Sequence, residues 1–168
     1  ASDMALVFFS LIALGAWLHL VFFRGDFWRA NQRLDVIGPP PITYPPVSII
    51  IPARDEASSI GAVISAHLSC DYPGALTITL IDDGSTDGTG DIARKAAQEA
   101  GVQISINGNM LDGEENSTDK QRRLTIITGK PLADGWSGKL WALHQGIAHN
   151  HQSAPDTKFL LLTDADIV

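Results

Sequence analysis

Four short apolar runs constrain the fold of this chain more than any other feature. They are rich in β-branched residues or leucine, and each is short enough for a buried strand: Val47 to Ile51, Leu76 to Ile81, Leu124 to Ile127, and Phe159 to Leu162. Helical periodicity fills the segments between them, and it predicts helices over residues 60–68, 92–100 and 140–148. Strands that alternate with helices predict an α/β domain whose mostly parallel sheet is covered on both faces.

The predicted helix ends follow from capping residues. Ser58 or Ser59 is the expected N-cap of the first helix, and Ser85 or Thr86 that of the second. Gly101 is placed to form the left-handed C-cap of the second helix. Turn-forming residues dominate positions 107–121, so we expect a mobile surface loop there.

A different segment precedes this domain. Residues 4–23 carry no Asp, Glu, Lys or Arg, and as a helix they would span about 30 Å, the thickness of a bilayer core. A cleaved signal peptide is the weaker alternative, because no basic residue precedes Met4; a buried or interfacial helix is a third possibility. Arg24, Arg29 and Arg33 follow the run, whereas only Asp3 precedes it, so the following domain is expected in the cytoplasm.

The sequence therefore divides into three parts. Residues 4–23 are the expected transmembrane helix, residues 24–46 a juxtamembrane and proline-rich linker, and residues 47–168 the α/β domain. The formal net charge is −7 and the isoelectric point is about 5.0. Binding nucleic acid takes a clustered basic face, which the sequence lacks, so no nucleic-acid partner is expected.

Acidic residues follow three of the four predicted strands. The first strand is followed by ARDE, the second ends in DDGSTDGT, and the fourth ends in TDAD. Ligands of parallel sheets collect at the carboxyl ends of the strands. Asp164 and Asp166 point the same way in extended chain, so both can face one hard divalent cation. Two adjacent aspartates, Asp82 and Asp83, need hydrogen bonds or a charged partner at such an edge.

The order VSIIIPARDE, LIDDGSTDGT, a Gly-Lys before a helix, and LLTDAD resembles family 2 glycosyltransferases of the GT-A fold over about 120 residues. The stretch GWSGKLWALHQG is similar to the glycosyltransferases associated with hopanoid biosynthesis, which also begin with a membrane helix. The resemblance implies a GT-A, Rossmann-like domain that binds a nucleotide-sugar, with a UDP-sugar as the expected donor. The expected acceptor is a membrane lipid or another molecule close to the membrane, because the anchor would hold the site near the bilayer.

The resemblance also assigns roles to residues. Pro52, Ala53 and Glu56 are expected to line the nucleoside pocket, Asp83 to contact the base or ribose, and Asp82 to support that edge. Asp166 is the expected ligand of Mn²⁺ or Mg²⁺. Asp164 is expected to contact the ribose, or the metal and its bound water. Lys139 is expected to add a positive charge at the diphosphate. The catalytic base of such enzymes is expected beyond Val168, so the chain is expected to hold the donor-binding half and to be inactive in transfer by itself.

Three ring side chains near Lys139 in sequence have explanations that need no ligand. Trp136 and Trp141 are candidates to shelter the sugar and His144 to face the diphosphate, but packing explains Trp141 and a helix-surface position explains His144.

Other functions fit less well. A phospho-acceptor receiver domain would place a lone Asp after the third strand, where this chain has Thr128 and Gly129. A dinucleotide-dependent oxidoreductase would place G-x-G-x-x-G after the first strand, and PARDEASS contains no glycine. A non-enzymatic membrane-anchored binding or signalling module stays open as the alternative.

Overall fold

The structure is a computed structural model that describes residues 2–24, 41–111 and 119–167. The chain forms two compact units, residues 1–40 and residues 41–168. Arg29, Arg33 and most of the proposed linker lie outside the described residues.

The first unit contains helix α1 (Ser2–Phe23). Its segment Asp3–Phe23 has a mean hydropathy of 2.3, and it is long and apolar enough to cross a membrane by length and composition. The helix therefore stands as a candidate membrane span.

The second unit is built on a six-stranded sheet in the order β4-β3-β5-β2-β1-β6. All neighbours are parallel except β3 and β4. The prediction of a mostly parallel α/β sheet is confirmed, and all four predicted strands are present. The strands are β1 (Val47–Ala53), β2 (Leu76–Asp82), β3 (Val102–Ile106), β4 (Asn109–Met110), β5 (Asp119–Thr128) and β6 (Phe159–Leu162).

Strands β3 and β4 were not predicted, and β4 corrects the expected loop over residues 107–121. Asn107 and Gly108 have φ values of 49° and 85°, and they form a two-residue hairpin turn that pairs Ile106 with Asn109. β5 also begins earlier than predicted, at Asp119. Of the expected loop, residues 112–118 lie outside the described part.

Three helices cover the sheet: α2 (Ile60–Leu68), α3 (Thr89–Glu99) and α4 (Gly138–Ser153). Side chains of a strand alternate between faces, so β1 contributes to two cores. Ile49, Ile51 and Ala53 belong to the larger core, which includes residues of α2 and α3. Ile50 packs with Ile81 and with Ala142 of α4 in the smaller one. Burial on both faces explains why β1 reads as a continuous apolar run.

The helix ends agree in part with the predicted caps. Ser59 stands at the N-cap position of α2 but makes no side-chain capping bond; its hydroxyl donates to Glu56 Oε2 at 3.0 Å instead. The N-cap of α3 is Gly88, with φ 89°, and neither Ser85 nor Thr86 takes that position. Gly101, with φ 67°, takes the left-handed conformation that the sequence predicts.

Close packing at Gly146 fixes the distance between α4 and the sheet. A Cβ atom at this position would lie 2.5 Å from Ile81 Cδ1 and 2.6 Å from Ile50 Cγ2. Real Cβ atoms do not approach other atoms so closely, so only glycine allows this approach. The first turn of α4 is held in this way beside the carboxyl ends of β1 and β2.

Candidate functional site

A cavity of about 340 Å³ lies where the carboxyl ends of β1, β2 and β6 meet the first turn of α4. In a parallel sheet these ends share one edge, which is where ligands bind in α/β proteins. Residues from all four elements line it: Pro52, Ala53, Arg54, Glu56, Asp83, Gly138, Lys139, Ala142, Asp164, Ala165 and Asp166. The structure therefore brings together every residue that the resemblance assigns to the site except Asp82.

The end of β1 forms one wall of the cavity. Ala53 is buried, and its carbonyl oxygen accepts a hydrogen bond from the Asp83 N–H at 2.9 Å, which joins this wall to the end of β2. Glu56 is half-buried, and one of its carboxylate oxygens accepts from the Ser59 hydroxyl. Arg54 is exposed and forms no salt bridge within the described residues. Its charge is therefore free for a ligand.

The two aspartates at the end of β2 face different surroundings. Asp83 lines the cavity, and a Cβ atom on Gly138 would lie 3.5 Å from Asp83 Oδ2, so the first residue of α4 lies beside this carboxylate. Asp82 instead accepts a hydrogen bond from the Ser85 N–H at 2.9 Å, and it lines a separate depression beside α3. Successive strand residues point to opposite faces, which separates the pair. Asp82 thus shapes the turn that follows Asp83 and does not line the cavity.

Asp164, Asp166 and Lys139 form the opposite side of the cavity. Lys139 Nζ lies 2.5 Å from Asp164 Oδ1, and this ion pair joins the start of α4 to the end of β6. Both side chains are partly exposed, at 60% and 44%, so the pair is open to solvent and to ligands. Ala165 is buried between two aspartates that both line the cavity.

The donor set fits a divalent cation held partly by a ligand. No group of three or more His, Cys, Asp or Glu residues forms a ready metal centre in the described part of the chain. Asp164 and Asp166 nevertheless offer carboxylate oxygens to the same cavity. Mg²⁺ is commonly bound by one or two carboxylates together with water and substrate phosphates. The two aspartates suit that kind of binding.

The charges of the cavity favour the same arrangement. Four carboxylates line it, those of Glu56, Asp83, Asp164 and Asp166, against two cationic side chains, Arg54 and Lys139. An anionic ligand would be repelled by this excess of negative charge unless a cation accompanied it.

Three rings beside the cavity have a packing role. Trp136, Trp141 and His144 form a cluster with ring centroids 4.9 to 5.5 Å apart. Trp141 Nε1 donates to the carbonyl oxygens of Lys130 and Pro131 at 3.1 and 3.0 Å. None of the three rings lines the cavity. The hydrogen bonds of Trp141 join the segment before α4 to the helix, which is the packing role expected for this residue. His144 is exposed on the helix surface.

Sequence reasoning left four lining residues without a role: Arg54, Gly138, Ala142 and Ala165. The Gly-Lys pair before the third predicted helix was the available signal for Gly138. Ala142 follows one turn after Gly138, so its place in the lining follows from the same helix start.

Comparison with known proteins identifies a family for the second unit. Residues 48–168 match the model of the family described as Glycosyl transferase family 2. No curated protein matches the chain.

The similar solved structures include a mannosyltransferase and a mycobacterial protein. The mannosyltransferase PcManGT from Pyrobaculum calidifontis, in complex with GDP-Man and Mn²⁺, shares 25% identity and a TM-score of 0.58, over 95% of this chain and 38% of that one. A mycobacterial protein shares 20% identity over 74% of this chain and 32% of that one, with a TM-score of 0.42. The chain thus spans well under half the length of the mannosyltransferase.

Proposed function

This chain belongs to glycosyl transferase family 2, and we propose that its second unit is the donor-binding part of an enzyme that transfers a sugar from a nucleotide-sugar. The observation that carries the proposal is the cavity itself. It gathers Glu56, Asp83, Lys139, Asp164 and Asp166, which are distant in sequence, at one edge of the sheet.

The cavity offers different chemistry at its two sides. At the ends of β1 and β2, Glu56 and Asp83 accept hydrogen bonds, which suits base N–H groups and ribose hydroxyls. Pro52 and Ala53 add apolar surface there for the flat face of a base. Nucleoside binding is therefore assigned to this side, and Asp82 acts indirectly by shaping the turn after Asp83.

The diphosphate is assigned to the side formed by Lys139 and the two aspartates of the D-x-D triplet. Asp166 would hold Mn²⁺ or Mg²⁺, and Asp164 would bind the metal, its water or the ribose. When bound, the metal supplies Lewis-acid stabilisation of the departing nucleoside diphosphate. Lys139, at the N-terminal end of a 16-residue helix, adds a second positive charge where the backbone N–H groups also favour an anion.

The acceptor is proposed to be a membrane lipid, because α1 would hold the site close to a bilayer. A cytoplasmic position of the second unit and a role in hopanoid-type lipid glycosylation belong to the same proposal. The donor nucleotide is proposed to be a UDP-sugar. The similar mannosyltransferase binds GDP-Man, so guanine is the competing base in any test.

Titration calorimetry with UDP and GDP tests the site. Mn²⁺ is expected to tighten nucleoside diphosphate binding, and Asp166→Asn is expected to remove most of that gain because the amide keeps the size but loses the charge. A nucleoside monophosphate should gain much less, since it lacks the second phosphate of the chelate.

Asp156→Asn is the matched control, because Asp156 is exposed and lies outside the cavity. A folded Asp166→Asn variant that keeps the full Mn²⁺ effect would show that the metal binds elsewhere.

A panel of nucleotide-sugars incubated with membranes that contain the protein, scored for lipid-linked product, then separates transfer from binding. Binding without any transfer by the protein in its natural membrane would favour the alternative, a non-enzymatic binding module.

A further inference from the structure

Two loops that carry the nucleoside side of the cavity are joined directly. They are the β1 loop (residues 54–59) and the β2 loop (residues 83–88), which lie about thirty positions apart in sequence. Three successive N–H groups of the β1 loop donate to side chains of the β2 loop or of the first residue of α3. These bonds are Asp55 N to Ser85 Oγ at 3.0 Å, Glu56 N to Thr89 Oγ1 at 2.9 Å, and Ala57 N to Asp87 Oδ2 at 2.9 Å.

Asp55 returns a bond in the opposite direction. Its Oδ1 accepts from the Thr86 N–H at 2.8 Å and from the Thr86 hydroxyl at 3.2 Å. Asp55 also has φ 55°, in the left-handed region that few residues other than Gly, Asn and Asp adopt. The residues on either side of it, Arg54 and Glu56, both line the cavity.

Asp87 connects the β1 loop to α3. One carboxylate oxygen accepts from Ala57, and the other accepts from the Thr89 N–H at 3.0 Å and the Thr89 hydroxyl at 2.6 Å. Thr89 is fully buried, so this anchor is held by the core. The hydrogen bonds from Thr89, followed by that from Ala57, lower the pKa of Asp87, so its carboxylate form is favoured here.

Neither Asp55 nor Asp87 lines the cavity, yet their loops carry Glu56 and Asp83. We propose that Asp55 and Asp87 are positioning residues for the donor: they fix the distance between the β1 loop and the β2 loop so that a nucleoside meets both walls without reordering them. This inference rests on the proposed function. Loops that are already ordered lose less conformational entropy when a ligand binds, so their fixation raises affinity without any contact to the ligand.

A series at Asp55 separates the backbone from the carboxylate. Asp55→Gly keeps the left-handed conformation and removes both acceptor bonds. The Kd for a nucleoside diphosphate is therefore expected to rise about tenfold, which lies near the lower end of the range for two ordinary hydrogen bonds. Asp55→Asn keeps a carbonyl acceptor and tolerance of positive φ, so it is expected to bind within about twofold of wild type.

Two further variants complete the experiment, measured on the whole purified chain. Asp87→Ala leaves Asp55 in place and is expected to weaken binding in the same direction, so the result does not depend on one variant folding. Asp91→Ala is the control, because it removes the same charge outside the two loops. Asp91 lies on α3, is 81% exposed and pairs with Arg94.

The readout that a general loss of structure would not reproduce is the Mn²⁺ effect. Asp55→Gly is expected to weaken binding with and without Mn²⁺ by the same factor, because the metal side of the cavity is not part of either loop.

Unchanged affinity in both Asp55→Gly and Asp87→Ala would overturn the inference. So would an equal loss in Asp55→Asn, or a loss of the Mn²⁺ effect in Asp55→Gly. A wild-type chain that binds no nucleoside diphosphate would instead refute the proposed function, and this inference with it.

Discussion

At the scale of single residues, the pair Asp82 and Asp83 shows how position along a strand divides two identical side chains. Their carboxylates lie on different sides of β2, one in the turn before α3 and one in the cavity. The sequence predicted both residues at the carboxyl edge of the sheet, and the backbone of both lies at the end of β2. The alternation of strand side chains contains the information that separates them.

Asp83→Ala tests this division. We expect it to weaken nucleoside binding in the absence of metal by about 10- to 100-fold, since hydrogen bonds to a charged group contribute about 1.5–3 kcal/mol. Calorimetry with the metal-free nucleoside diphosphate measures the effect. Asp83→Asn, which keeps one acceptor, should lose less. Unchanged metal-free affinity of a folded Asp83→Ala variant would remove this residue from the site.

The positions of the residues at the strand ends were predictable from local pattern, and the hydrogen bonds between the two loops were not. The strand ends share one edge of the sheet, so Glu56, Asp83, Asp164 and Asp166 could be expected near one another, and all four line the cavity. Their roles come from the family resemblance and remain proposals. The partners of Asp55 and Asp87 lie about thirty residues away. Their bonds depend on the register of β1 with β2, which no local pattern contains.

At the scale of elements, α4 helps to form the side of the cavity that carries Lys139. Its glycine at position 146 lets the helix lie against Ile50 and Ile81, and its first turn carries Lys139 to Asp164. The sequence predicted this helix from Leu140 to Ala148, shorter than the observed Gly138–Ser153. The sequence prediction omitted β4, the hairpin partner of β3. Asn107-Gly108 is a favoured two-residue turn and was a signal for this hairpin, but the polar residues that follow it indicated a loop.

Gly146→Ala is therefore expected to lower the free energy of unfolding by about 1–3 kcal/mol, the usual effect of an added methyl group in a filled core. Because α4 would move away from the sheet, nucleoside diphosphate binding should weaken as well. Thermal or denaturant unfolding together with calorimetry measures both effects. Gly61→Ala in α2 is the matched control, since its Cβ would meet only Ile92 Cγ2, at 3.1 Å. Equal stability of the two variants would contradict the close approach of α4.

At the scale of the whole molecule, a candidate membrane helix and a glycosyl transferase family 2 domain share one chain. Under the proposed function, such a combination would bring a water-soluble donor and a lipid acceptor to the same surface. The sequence predicted both units, because an uncharged run of twenty residues and an α/β alternation are each visible without any long-range contact.

The orientation of the chain gives a direct test. A reporter fused after Val168 is expected on the cytoplasmic side, since Arg24, Arg29 and Arg33 follow the apolar segment. Paired phosphatase and fluorescent reporters, each active on one side of a bacterial inner membrane, measure it. Replacing the three arginines with glutamine should reduce the bias while leaving insertion intact. Phosphatase activity of the wild-type fusion would contradict the proposed localisation.

The outer strand of the sheet has a practical consequence. Among the described residues β6 pairs only with β1, and its four side chains, Phe159 to Leu162, are 40–62% exposed. An open apolar edge of this kind is a template on which a strand from another molecule can add. A charged substitution at Leu161 is therefore expected to reduce association through this edge.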